Sequence, residues 1–183
     1  GCEMRVFDAD GHVTEGPDVF SDRYLEPAFR SRRPQVVGAD GQAYWLIDSQ
    51  IFPRLRGYGS HFSGTPVRVG SVQTPLSRSK PESVESQELQ TAAARLKDLD
   101  AEQIDAQVIY PSLFLTQPLS TDPALNAALS RSYNNWACDV CSASDRLRWV
   151  AVVSLDDPAS AAAEVRRARR ELGAVGVMIL GTA

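Results

Sequence analysis

Two aspartates, a histidine and a glutamate crowd into the segment VFDADGHVTEG, as Asp8, Asp10, His12 and Glu15. In an extended chain, side chains two apart share a face, so Asp8, Asp10 and His12 can converge at the carboxyl end of a strand. Carboxylate oxygen and imidazole nitrogen together suit zinc, manganese or ferrous iron. A liganding His12 would need its second ring nitrogen held by another partner. Gly11 leaves room for backbone or substrate to come close. The same letters also make a hydrogen-bonded acidic turn, because Asp and Gly are favoured turn residues. These residues alone leave both readings open.

His61, in GYGSHFSG, is the only other histidine. The glycines around it suggest a mobile loop, from which an imidazole can donate a proton or bind a substrate carboxylate. A surface histidine without a catalytic role fits those letters as well. No glycine loop of the phosphate-cradling kind occurs, no serine nucleophile elbow, and no motif for an organic cofactor.

The elements that must position these groups are uneven along the chain. MRVF reads as a short buried strand ending at the acidic cluster. Residues 17–90 then hold most of the glycine, proline and serine, with aromatic islands at AYWLI and IFPRL. This stretch reads as a long irregular insertion packed over a site, including its lid, because long unstructured segments inside domains are usually functional or disordered. FSDRYLEPAF suggests a short helix stopped at Pro27. From Glu88 the pattern turns regular. Leu89, Ala92, Ala93, Leu96 and Leu99 mark one helix face, and AQVIYPS gives a strand ended by Pro111. A long helix follows, capped by Asp122 with Pro123 in its first turn, with Leu125, Leu129, Ser132, Tyr133, Trp136 and Val140 along one stripe. RWVAVVSL is a third strand. DPASAAAEVRRARRELG is a helix stopped at Gly173, and VGVMIL is a fourth strand. Alternating strands and helices imply parallel pairing. Two architectures satisfy that rhythm: an open four-stranded sheet, or half of an eight-stranded barrel.

Composition narrows the function. A chain of 183 residues, 43% hydrophobic, can bury a core. The net charge of -4 and the lone basic run RRARR, best read as a solvated helix face, argue against nucleic acid. No apolar stretch is long enough for a membrane span, and no basic segment followed by an apolar one marks a secretory signal. Cys138 and Cys141, three apart in a helical segment, read as structural thiols, and a reducing, cytoplasmic compartment is expected.

VFDADGHVTE, RLKDLDAEQIDAQVIYPS and the run from DPALNAALSRSYNNW to GAVGVMI resemble the amidohydrolase-related proteins of the aminocarboxymuconate-semialdehyde decarboxylase type. The likeness covers residues 5–15 and about 95–180. It implies a distorted (β/α)8 barrel with one divalent metal ion, zinc first and manganese or iron as alternatives. Hydrolysis of an amide or related bond in a small organic substrate is then expected. Decarboxylation of a small carboxylic acid and a non-catalytic binding or regulatory subunit are the alternatives. In the family the first strand commonly ends in Asp-x-His-x-His. Asp8 falls on its aspartate, Asp10 on its first histidine and His12 on its second. Asp10 departs from the pattern but keeps an oxygen ligand, so Asp10 and His12 are the expected metal ligands. Asp8 and Glu15 are expected to support those ligands or to replace one, and His61 to transfer a proton. The family's remaining histidines and aspartate lie on later strands. The expectation is therefore an N-terminal half-barrel over residues 1–183, completed by a complementary polypeptide.

Overall fold

The acidic cluster lies within its strand rather than beyond it. β1 spans Phe7–Val13 in a computed structural model that describes residues 5–39, 42–54 and 83–179. Val6 and Phe7, expected to be buried, are exposed. Burial begins at Gly11 and Val13, opposite Ile109 and Pro111 of the neighbouring strand.

Four strands form one parallel sheet. β1 pairs with β5 (Ala106–Pro111), β5 with β6 (Leu147–Val152), and β6 with β7 (Gly176–Met178). The order β1-β5-β6-β7 follows the chain without reversal. A doubly wound open sheet reverses order at its switch point, whereas a (β/α) barrel lays each strand beside the last. The arrangement is a partial (β/α) barrel.

Helices make each return. α1 (Val84–Gln87) and α2 (Ala92–Ala101) precede β5, α3 (Pro123–Cys141) links β5 to β6, and α4 (Pro158–Arg167) leads towards β7. Asp122 and Asp157 cap α3 and α4 by accepting from the amides of Ala124 and Ala159 at 2.9 and 3.1 Å. Each is followed by a proline whose missing N–H costs nothing there. A π-helical turn, Ala168–Leu172, extends α4, and Gly173 ends it at φ 82°, a conformation that glycine adopts without strain. The helix expected from Leu89 onward is divided. Leu89 takes φ 50° between α1 and α2, and the Thr91 hydroxyl caps α2.

The insertion is more regular than its composition suggests. β2 (Gln35–Ala39), β3 (Gln42–Ile47) and β4 (Gln50–Pro53) form an antiparallel sheet. Ala43, Trp45 and Ile47 are buried while Tyr44 and Leu46 are half-buried, the alternation of a strand with one face on the core. Asp48 and Ser49, at φ 49° and 65°, make the tight turn to β4, the geometry that suits a two-residue hairpin. Pro27 opens a short 3-10 helix, Pro27–Arg32, rather than stopping one.

The core lies between the sheet and α3. Phe20 meets Trp45 edge-on at 5.7 Å, Phe114 meets Tyr133 at 5.4 Å, and Tyr133 meets Trp136 at 5.8 Å. The α3 stripe is buried as expected, except that Val140 is half-buried. Asn134 ties α3 to the end of β6. Its Nδ2 donates to the Val152 carbonyl at 2.9 Å, and its Oδ1 accepts from the Val152 amide at 2.9 Å. Nδ2 also reaches Glu164 at 2.7 Å. Cys138 and Cys141 are free, and burial pushes the Cys141 thiol up to about 12. Among the described residues no helix is long and apolar enough to cross a membrane.

Candidate metal centre

The register of β1 decides which acids meet. Asp8 lies opposite Gln107 and Gly11 opposite Ile109, so β1 spends one more residue than β5 over this interval. An extra residue breaks the two-residue alternation. A Cβ on Gly11 would lie 2.3 Å from Gln107 Cδ, so the Gln107 side chain covers Gly11. From there its Nε2 donates to Asp8 Oδ2 at 2.6 Å, and Asp8 Oδ1 accepts from the Asp10 amide at 2.9 Å. Asp8 is thus engaged with Gln107 and backbone. Of the three residues expected to converge, Asp10 and His12 approach each other.

His12 Nε2 stands 3.7 Å from Asp10 Oδ1. The other ring nitrogen, Nδ1, lies 3.3 Å from the Ser112 hydroxyl, and the ring sits 5.9 Å from that of Tyr110. The Asp10 side chain is 93% exposed and that of His12 31%. Two donors about 2.1 Å from a shared ion at a tetrahedral angle stand about 3.4 Å apart. The observed separation needs only a small rotation of an exposed carboxylate to fit. The donor set, one oxygen and one nitrogen with the second nitrogen held, suits a divalent ion. Among the described residues, no group of three or more His, Cys, Asp or Glu side chains could hold a metal.

Glu15 lies just beyond β1, and its carboxylate faces the turn after β5. Oε2 accepts from the amides of Ser112 at 3.2 Å and Leu113 at 2.9 Å. Oε1 is buried with no hydrogen-bond partner among the described residues. Burial raises the Glu15 pKa to about 7, against the pull of the two amides and of Arg54. Arg54 donates to the Glu15 carbonyl at 3.3 Å and forms a buried ion pair with Glu88 at 2.5 Å. Burial, reinforced by the charge of Glu15, holds the Tyr133 hydroxyl well above its usual pKa. Glu15 therefore braces the strand ends from behind. His61 and the glycine-rich segment around it lie outside the described residues.

Three further site residues lie outside the acidic motif. Ser112 holds His12, and Gln107 holds Asp8. Arg95 is buried on α2 and donates to Gln107 Oε1 at 2.9 Å and to the His12 carbonyl at 3.0 Å. An arginine within an apolar helix stripe was the one available hint.

Neither a family model nor a curated protein matches the sequence. Solved structures do match its fold. An amidohydrolase from Mycobacterium avium subsp. paratuberculosis aligns with 95% of this chain at 21% identity and a TM-score of 0.65. The likeness is one of fold. The chain spans 49% of that protein's length. Weaker alignments reach a 2,6-dihydroxybenzoate decarboxylase from Rhizobium, at 27% identity over 49% of this chain and 28% of that one, TM-score 0.44. A manganese-bound 5-carboxyvanillate decarboxylase from Novosphingobium aromaticivorans aligns at 26% identity over 58% of this chain and 31% of its own, TM-score 0.48.

Proposed function

We propose that the chain is the N-terminal half of a metal-dependent barrel enzyme of the amidohydrolase-related family, hydrolysing an amide or related bond in a small organic substrate. The observation that carries this reading is the approach of Asp10 Oδ1 to His12 Nε2 at 3.7 Å on the first strand of a partial barrel. Barrel chemistry takes place at the carboxyl ends of the strands. Asp10 and His12 would hold a divalent ion, zinc first and manganese or iron as alternatives. When bound, such an ion supplies Lewis acidity and lowers the pKa of water. The chain's own residues set the frame. Gln107 fixes Asp8 and with it the backbone entering the site, Arg95 holds the His12 carbonyl, and Glu15 pins the turn after β5. The remaining strands and further ligands would come from outside residues 1–183, in a complementary polypeptide or in the rest of a longer chain.

Metal content of the purified protein and zinc titration test the reading. His12→Ala and Asp10→Asn should each weaken zinc binding at least about tenfold, the low end of what even outer ligand contacts contribute. Unchanged affinity in both variants would overturn the site. Release of carbon dioxide from a carboxylic acid substrate would move the reaction to decarboxylation. Absence of any divalent metal from the purified protein would leave a binding or regulatory role.

A further inference from the structure

Ser112 follows Pro111, the last residue of β5, and its amide is held from two sides. It donates to the Val13 carbonyl at 3.2 Å and to Glu15 Oε2 at 3.2 Å. The next amide, of Leu113, also donates to Glu15 Oε2, at 2.9 Å. The start of the β5–α3 turn is thus clamped to the end of β1 by a carboxylate that is 1% exposed. That clamp delivers the Ser112 hydroxyl to His12 Nδ1 at 3.3 Å, while Nε2 faces Asp10.

A neutral imidazole has one donor nitrogen and one acceptor nitrogen, and a hydroxyl can pair with either. The partner on Nδ1 therefore matters. A carbonyl or carboxylate there would keep the proton on Nδ1 at all times. A hydroxyl donates to a bare Nδ1 and accepts from a protonated one, so the ring keeps its orientation in both tautomers. A nitrogen ligand must offer its lone pair, which moves the imidazole proton to the opposite nitrogen.

We propose that Ser112 is a positioning residue for His12, fixing the ring and accepting a hydrogen bond from Nδ1–H when Nε2 binds a metal, and that Glu15 positions Ser112. The proposal rests on the metal reading above. Its motivation is geometric: a hydroxyl on one ring nitrogen, a carboxylate facing the other, and a buried clamp behind the hydroxyl.

The test uses the full chain, in whatever assembly it purifies, with 15N-labelled histidine. His12 and His61 are its only histidines, so His61→Gln assigns the imidazole signals. The probe is zinc alone. In wild type, zinc should shift the His12 Nε2 resonance and leave Nδ1 protonated. Ser112→Ala should change the His12 nitrogen shifts in the metal-free protein and weaken zinc binding about tenfold. Ser112→Thr, which keeps the hydroxyl, should restore both, separating the hydroxyl from any effect on folding. A Ser112→Ala protein with wild-type nitrogen shifts and wild-type zinc affinity overturns the proposal and leaves the metal reading standing. Zinc that moves neither His12 nitrogen in wild type overturns the metal reading, and the proposal with it.

Discussion

Glutamine in place of Glu15 should make the protein more stable at neutral and alkaline pH while leaving it unchanged in acid. The Glu15 carboxyl is buried, with two amides on one oxygen and no partner among the described residues for the other. Burial outweighs the amides and raises its pKa from 4.5 to about 7. The sign follows from proton binding. Above pH 4.5 the unfolded chain releases this proton while the folded protein keeps it, so stability falls as pH rises, until the folded group also ionises near pH 7. A gap of about 2.5 units, at about 1.4 kcal/mol per unit, gives a loss of about 3 kcal/mol. Glutamine has the same shape and cannot ionise. Urea unfolding of the chain, in whatever assembly it purifies, can be followed by the fluorescence of Trp45, Trp136 and Trp149, all buried. Across a pH series, the stability of Glu15→Gln minus that of wild type should climb from near zero at pH 4.5 to about 3 kcal/mol above neutrality. All other titrating groups cancel in that difference. A flat difference would refute the reasoning and show that the carboxyl finds water or a partner when charged.

Three further outcomes are expected. Gly11→Ala would place its Cβ 2.3 Å from Gln107 Cδ. Gln107 is anchored by Arg95 and Asp8, so the overlap should cost about 1–3 kcal/mol in urea unfolding; Gln107→Ala in the same chain should recover part of it. Asn134→Leu strands the amide and carbonyl of Val152 and should lower stability by at least about 2 kcal/mol, a loss absent if water replaces both bonds. Residues 1–183 expressed alone should aggregate or fold poorly, and should form a compact complex with one divalent metal when the complementary chain is supplied. A soluble monomer that unfolds cooperatively, by light scattering and denaturant titration, would count against a split barrel.

Signals that act within a turn of themselves are legible in the sequence, and long-range ones are not. Asp122-Pro123, Asp157-Pro158 and Gly173 each act on the backbone within a turn of themselves, so the boundaries of α3 and α4 were legible. The division at Leu89 was not, because a leucine at φ 50° is strained and only its full burial shows why it is tolerated. The aromatic islands of the insertion were strands whose partners lay in the same stretch, hidden by the glycine and proline around them. The site was half legible. The approach of Asp10 to His12 is legible because they are neighbours on one strand. Unbroken alternation would group Asp8 with them, and the extra residue that separates them appears only when β1 is set against β5. Ser112 and Gln107 each act on residues about a hundred positions away, a relation no spacing rule reveals. Glu15 was placed near the ligands, but its burial, and hence its raised pKa, depends on packing by the turn after β5.

The proposed metal ligands and one open edge of the parallel sheet lie on the same strand. β1 and β7 are the outer strands of the parallel sheet, each paired on one side only among the described residues. Phe7 and Val177 are exposed on them, as is Ile179 just beyond β7. Such edges invite pairing, and covering each apolar side chain contributes about 1.5–3 kcal/mol at full burial. A closed barrel removes both edges at once. Asp10 and His12 lie on β1 itself, which explains their exposure beside the otherwise buried Glu15. A parallel strand on the free side of β1 would bring its own carboxyl end next to theirs. Under the proposed function, closing the barrel would also bring further ligands to Asp10 and His12. The residues already fixed here, Ser112, Gln107, Arg95 and Glu15, hold β1 to β5 on its paired side and leave Asp10 free on the other.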